Sequence, residues 1–349
     1  MIHLGIDHHK KYCHVVALND KAEIVWDGRL ASERRAFAEL KKQLPQDEPI
    51  QSVLEAGWNW GKLYDALHEL GFNPKLANPL KTRLIAESYV KTDRIDALVH
   101  AQLLRVGMTP LVHVPTPEQR DQKNVLRRRI WLVRIRTALK NRIHALLDRN
   151  HLEPPAAQDL FAGRGRNWID GLQLRDPEDR LLKAERALLD EVAEHIRQTE
   201  KWIAEELKTN ALFPNLMTLP GVGRILGAVI ALEVGDIDRF LCAERLCSYS
   251  GLVSSTYSSG GKTRHGGLIP TSNAYLRFAY VEATWSAIRV SPYLRAFYQR
   301  LKLRVGTSKA IVATARKLCE ISFYCMKQQR AYIEKPYRFR SGSLGRVLT

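Results

Sequence analysis

Four carboxylates are placed where they could share a metal ion. Asp7 and Glu55 each close a short apolar run, Ile2 to Ile6 and Ile50 to Leu54, that reads as a buried strand. Asp93 and Asp96 sit one helical turn apart in Lys91-Thr92-Asp93-Arg94-Ile95-Asp96-Ala97. Thr92 is a natural N-cap, so both acids are expected early in a helix and on one face. Converging carboxylates repel one another at neutral pH unless a cation screens them. Magnesium suits an all-oxygen set and keeps positions for water and phosphate oxygens, so the chemistry implied is metal-assisted work on a phosphodiester. The plainer alternatives are dipole-favoured acids at a helix start and turn-forming acids at strand ends. His8 and His9 follow Asp7 and are read as structural, not as ligands.

A second chemical segment runs from Thr256 to Gly267, Thr-Tyr-Ser-Ser-Gly-Gly-Lys-Thr-Arg-His-Gly-Gly. Its glycines allow close backbone approach to a phosphate, and Lys262 and Arg264 supply charge for a phosphoryl transition state. A hydroxyl held there could be a nucleophile. Gly-Gly-Lys-Thr resembles the end of a nucleotide-binding loop, but Thr256 stands where that motif needs its first glycine, so an ATPase is excluded. A surface loop that only contacts the DNA backbone remains the alternative, and Ser254, Ser255 and Ser258 compete with Ser259.

Leu219-Pro220-Gly221-Val222-Gly223 lies between apolar helical segments. It fits a helix-hairpin-helix turn whose Gly221 and Gly223 amides face a phosphate, or equally a tight turn with no ligand. Farther upstream, the stretch from Arg127 to Arg142 carries seven cations, including Arg128 and Arg134, that could lie along a nucleic-acid backbone.

The 349-residue chain has 54 Lys and Arg against 37 Asp and Glu, a net charge of +17, which calls for a polyanionic partner. Nucleic acid is favoured over membrane, because no long uncharged apolar stretch or N-terminal signal is present. An apolar fraction of 45% is enough for a real core. The five cysteines lack ligand spacing, which argues against zinc and fits a reducing cytoplasm.

The elements that would position these groups form an α/β part followed by an α part. Ile2–Asp7, Cys13–Leu18 and Ala22–Trp26 read as an antiparallel meander around the Asn19-Asp20 turn. A helix at 33–43, a strand at 50–55, a helix at 61–70, a strand at 74–78 and a helix through Ser88 follow, predicting a mixed sheet covered on both faces. Glu118 to Arg149 and Pro177 to Lys208 read as long amphipathic helices forming a coiled coil or a plain helical spacer, the second on Leu181, Leu188, Val192, Ile196, Ile203 and Leu207. The expected domains are 1–112, a helical region 113–210, a mostly helical domain 211–335, and a basic, disordered tail 336–349.

Taken in order, Gly5-Ile6-Asp7, Leu54-Glu55-Ala56 and Thr92-Asp93 with Ile95-Asp96-Ala97 resemble the DEDD signature of the insertion-sequence one-ten transposases, relatives of the Piv DNA invertases. Leu219 to Gly223, Tyr249-Ser250-Gly251-Leu252, Tyr257 to Lys262, Asn273 and Leu276-Arg277 resemble that family's C-terminal domain. The resemblance spans residues 2 to 330. It implies a RuvC-like, RNase-H-type N-terminal domain in which Asp7, Glu55, Asp93 and Asp96 hold Mg2+, and an intervening coiled coil. It implies that Ser259 forms a covalent phosphoserine link to DNA. A structured non-coding bridge RNA would pair with donor and target DNA, and homodimers would join into tetramers, with the serine domain of one protomer meeting the metal domain of another.

Ala56-Gly57-Trp58 replaces a pattern with threonine before the glycine, and Ile269 to Asn273 and Leu276-Arg277-Phe278 depart from the usual residues, which puts local DNA contacts in doubt. The rival expectations are a metal-dependent Holliday-junction-type nuclease that activates water, and a non-catalytic nucleic-acid scaffold.

Overall fold

The computed structural model describes residues 1–86, 92–156 and 158–334. Ser88, Lys91 and the tail 336–349 therefore lie outside the described residues. The chain divides into two compact units, Met1–Pro117 and Glu118–Thr349. The first division falls a few residues past the expected boundary at 112, and the long helices belong to the same unit as the C-terminal helices.

The first unit is a five-stranded mixed sheet in the order β3-β2-β1-β4-β5. Its strands are β1 (Ile2–His8), β2 (Tyr12–Leu18), β3 (Ile24–Ala31), β4 (Ile50–Glu55) and β5 (Pro74–Ala77). The first three form the expected antiparallel meander, while β4 runs parallel to both β1 and β5. Its helices are α1 (Arg34–Gln43), α2 (Trp60–Glu69), α3 (Pro79–Ile85) and α4 (Asp93–Arg105).

Side-chain alternation sends residues 2, 4 and 6 of β1 to one face and residues 3, 5 and 7 to the other. Ile2, Leu4 and Ile6, with Leu54 of β4, pack under α1 and α2 against Phe37, Leu40, Leu63, Leu67 and Phe72. On the opposite face α4 packs on Val16 and Leu18 through Ala97 and Ala101. Gly5 makes that contact possible: a Cβ there would lie 2.0 Å from the Ala97 carbonyl oxygen and 2.4 Å from the Ala101 nitrogen. The strand carrying Asp7 is thereby seated directly against the helix carrying Asp93 and Asp96.

The second unit contains α5 (Pro117–Arg149), α6 (Gly163–Asp170), α7 (Glu178–Glu206), α8 (Phe213–Leu216), α9 (Arg224–Val234), α10 (Ala243–Tyr249), β6 (Ser254–Ser259), β7 (Lys262–Leu268), α11 (Ala274–Val290), α12 (Pro292–Val305) and α13 (Thr307–Lys327). Helices α5 and α7 pair within one chain and antiparallel, since Arg129, Arg142 and Arg149 meet Glu200, Glu185 and Glu178 respectively. The buried stripe of α7 differs from the expected one. Leu182 and Leu189 face the core, whereas Leu181 and Leu188 are 44% and 45% exposed. Each position is a Leu-Leu pair, so periodicity admits either member, and packing on α5 selects the second.

Helix α6 packs with α5 and α7, while α8 to α13 share a second core that includes the mostly buried α9 and is joined by Leu126 and Ile130 from the first half of α5. All five cysteines are free, and four are buried, as their apolar reading requires. Among the described residues no helix is long and apolar enough to cross a membrane.

Candidate metal site and serine hairpin

The four acids share one edge of the first unit. Asp7, next to last in β1, and Glu55, last in β4, lie on neighbouring parallel strands, one position beyond the Ile6–Leu54 register pair. Asp93 and Asp96 occupy the first turn of α4, and Thr92 caps it by accepting the Ile95 amide at 3.2 Å.

Asp7, His9 and Asp93 each offer a ligand atom, and these atoms lie within 4.8 Å of one another. His9 Nε2 is 3.1 Å from Asp7 Oδ2 and 3.4 Å from Asp93 Oδ1. The same nitrogen thus faces both carboxylates, where it can donate to them or serve with them as a ligand. Asp96 is close enough for its charge to act on Asp7. Glu55 lies outside the three-residue cluster, with His100 Nε2 3.4 Å from its Oε1.

The two central acids are tuned in opposite directions. Burial pushes the Asp7 carboxyl above its ordinary range; His9 pulls it back, and the Asp93 and Asp96 charges push it higher. Asp93 is held below its ordinary range, chiefly by the Tyr12 hydroxyl, which donates to Oδ2 at 2.9 Å. Tyr12 also stacks on His9 with ring centroids 4.7 Å apart and carries the Arg29 guanidinium on its ring. His9 and Tyr12 are thus working parts of this edge. Sequence reasoning set His9 aside, and nothing at position 12 marked the tyrosine. The only signal was proximity in sequence to Asp7.

The serine segment is a β-hairpin and not an irregular loop. Ser259 pairs with Lys262, and the two residues between them, Gly260 and Gly261, have φ of +56° and +75°. Positive φ at both central positions is the type I′ geometry that two-residue hairpins favour, so Gly-Gly is required by the turn. The register also separates the serines. Tyr257 pairs with Arg264 and Ser259 with Lys262, and alternation puts these four residues on one exposed face. Ser258 pairs with Thr263 on the other face, their hydroxyls 3.3 Å apart, while the Ser255 hydroxyl donates to the Gly267 carbonyl.

The other residues expected to contact nucleic acid lie in the second unit. A Cβ on Gly221 would lie 2.1 Å from the Ala283 oxygen of α11, so packing between helices explains that glycine. Gly223 caps α9 with open space around it. In the basic stretch, Arg127, Arg129 and Arg142 are spent on Glu233, Glu200 and Glu185, and Lys140 lies over Phe161. Arg128 and Arg134 are exposed.

Comparison with known proteins now bears on these two arrangements. Residues 4–152, with all four acids, match a transposase model of the DEDD, IS110 type. Residues 214–299, with the serine hairpin, match the model described as transposase IS116/IS110/IS902 family. The chain is a transposase of the IS110/IS116/IS902 family. It is 24% identical over 350 residues to a probable family 20 transposase of Pseudomonas aeruginosa, covering 94% of this chain and 98% of that one. The transposase for insertion sequence element IS1111A of Coxiella burnetii is also 24% identical, with 94% and 90% covered. A 43.6 kDa protein of insertion element IS110 from Streptomyces coelicolor is 32% identical over 146 residues, covering 41% of this transposase and 36% of its own length. The enzyme is accordingly a DNA transposase, a strand-cleaving and strand-joining catalyst.

Proposed function

We propose that this transposase cuts and rejoins DNA through a covalent link to Ser259, with a divalent ion at the Asp7 edge, and that a guide RNA selects its sites. The observation that carries the chemistry is the hairpin register: Ser259 pairs directly with Lys262 on the face that carries Arg264, whereas Ser258 lies on the other face and the Ser255 hydroxyl is engaged by the Gly267 carbonyl. In net terms the Ser259 oxygen bonds to phosphorus as the bond to the 3′ oxygen breaks, and the hydroxyl proton ends on the departing oxygen. Lys262 and Arg264 neutralise the added charge on the phosphoryl oxygens.

Asp7 and Asp93, with Asp96 and Glu55 on the same edge, would hold Mg2+. Two carboxylates, Asp7 and Asp93, converge with His9 within a few ångströms, a mixed oxygen and nitrogen set that fits a divalent ion. Once bound, it would steady the attacking and leaving oxygens of the phosphodiester. The mixed sheet with its central parallel pair supports a RuvC-like, RNase-H-type reading of the first unit.

Guidance by a structured non-coding RNA that pairs with donor and target DNA rests on the family resemblance and on the +17 charge. Self-association into dimers and tetramers through the long helices is supported by Leu181, Leu188 and Trp202, exposed on α7 at coiled-coil spacing. The setting would be a bacterial or archaeal cytosol.

The test is a denaturing gel of the enzyme incubated with its element-end DNA, the RNA that copurifies with it, and Mg2+. A protein–DNA adduct should form, vanish with Ser259→Ala and persist with Ser258→Ala. Cleavage by Ser259→Ala without an adduct would instead establish the water-activating, junction-nuclease mechanism. If RNase treatment left site choice unchanged, guidance would be refuted.

A further inference from the structure

Around the same strand edge, on the face opposite the carboxylates, lies a cleft of about 400 Å3. Its lining includes His8, Lys10, Arg34, Trp58, Asn59 and Lys62. Alternation explains the placement: Asp7 faces α4, so His8 faces α1 and α2, where its Nε2 lies 2.7 Å from Ser32 Oγ. The loop from Glu55 to the start of α2 crosses the edge between the two sites and carries Trp58.

Trp58 is 82% exposed. An indole left in water on a loop gains nothing for the core, which has its own aromatic residues in Phe37 and Phe72. Lys10 and Lys62 are exposed beside it, and Arg34 reaches the cleft while paired at 3.2 Å with Glu69. An aromatic platform flanked by several cations is the combination that takes up a base on its flat face and the attached phosphate on its charges. The volume is of the size that holds a small organic ligand.

We propose that this cleft binds an unpaired nucleotide of the DNA strand that passes over the carboxylate edge. Trp58 stacks on the base, Lys10 and Lys62 take the phosphate, and Asn59 meets the edge of the base. A paired base hides its faces from such a platform, so the site selects melted over duplex DNA. DNA is the committed occupant because the cleft adjoins the acids of a DNA transposase. The inference rests on that assignment and on neither the serine link nor the guide RNA.

The test measures binding of fluorescent oligothymidylate to the full chain in EDTA, with crosslinking of a 4-thiothymidine version. Trp58→Ala should weaken single-strand binding on the order of tenfold, whereas Trp58→Phe should retain most of it. Lys10→Ala with Lys62→Ala should flatten the log–log salt dependence by about 1.4, at roughly 0.7 per lost contact. Duplex binding should be unchanged by Trp58→Ala, and the crosslink should map to 58–62 and survive an equal concentration of oligouridylate. The proposal is overturned if Trp58→Ala binds like the parent, weakens duplex equally, or if the crosslink maps elsewhere or is displaced by RNA. A thermal melt confirms that the exposed substitution leaves the fold intact. A parent enzyme that binds oligothymidylate through Trp58 but forms no adduct with element-end DNA would count against the phosphoserine reading and leave the cleft standing.

Discussion

His9 Nε2 and Asp7 Oδ2 are 3.1 Å apart, and Asp93 Oδ1 lies 3.4 Å from the same nitrogen. A nitrogen donor inside a carboxylate cluster changes which ion is favoured. Imidazole binds first-row transition ions better than magnesium, which prefers oxygen throughout. Mn2+ and Co2+ should therefore bind the DNA-free enzyme more tightly than Mg2+. His9→Ala should lower Mn2+ affinity by about tenfold, with a smaller effect on Mg2+. Calorimetric titration of parent and variant checks this, and equal losses for the two ions would show that His9 only orients its neighbours.

Asp7 gives a dependence on pH whose sign follows from its raised pKa. A carboxyl whose folded value lies above its unfolded value favours the fold while protonated. That contribution is present below the ordinary value of 3.8 and is lost as pH rises through the higher folded value. At neutral pH the metal-free enzyme thus carries a destabilising charge. Asp7→Asn should raise the melting temperature of the metal-free protein at neutral pH while abolishing cleavage. Divalent ions should stabilise the parent more than the variant. An unchanged or lowered melting temperature for Asp7→Asn would contradict the burial argument.

Tyr12 holds Asp93 ionised by donating to it at 2.9 Å. Tyr12→Phe removes that donor, so the Asp93 pKa rises and less of the ionised form survives as pH falls. The acid limb of the pH–rate profile should shift to higher pH, with activity at neutral pH little changed. Rates measured in a series of buffers decide it; a parallel drop at every pH would mean that Tyr12 serves only to stack on His9.

The acids were legible in the sequence because local rules fix them. A short apolar run places Asp7 and Glu55 at strand ends, and Thr92 starts the helix that presents Asp93 and Asp96. What could not be read depends on contacts distant in sequence. His9 and Tyr12 matter only once β1 lies against α4, a contact between residues about ninety positions apart. The Leu-Leu pairs of α7 satisfy the helical period in two ways, so only α5 decides which leucine is buried. The hairpin was hidden because β6 and β7 are polar on both faces and give no alternating signal. Its Gly-Gly answered to a turn type before any phosphate. Glu233 passed unnoticed because it lies in an apolar helix, Ile225 to Val234.

Gly5 tests whether the close approach of β1 and α4 assembles the metal site. The Cβ of Gly5→Ala would meet backbone atoms that no rotamer change can move. The helix must shift outward, at a cost of about 3 kcal/mol. Asp93 and Asp96 would then move away from Asp7, and Mn2+ binding should weaken in whatever fraction remains folded. Denaturant unfolding together with metal titration checks both parts. A fully stable variant with normal metal binding would place the acids' convergence elsewhere.

Glu233 is fully buried in α9, and three partners meet it. Arg127 donates to it from Nε and Nη2 at about 3 Å, Asn273 donates at 2.9 Å, and Lys123 Nζ lies at 3.8 Å. Asn273 also caps α11 by accepting the Tyr275 and Leu276 amides, so one buried acid joins the starts of α5 and α11 to α9. Removing it leaves Lys123 buried without its counter-charge, and Glu233→Ala should cost about 3–5 kcal/mol in denaturant unfolding. Glu233→Gln keeps the shape and an acceptor for Arg127, and should cost less than Glu233→Ala. If both variants unfolded at the parent's denaturant midpoint, the network would be dispensable and α9 would be held by its apolar contacts alone.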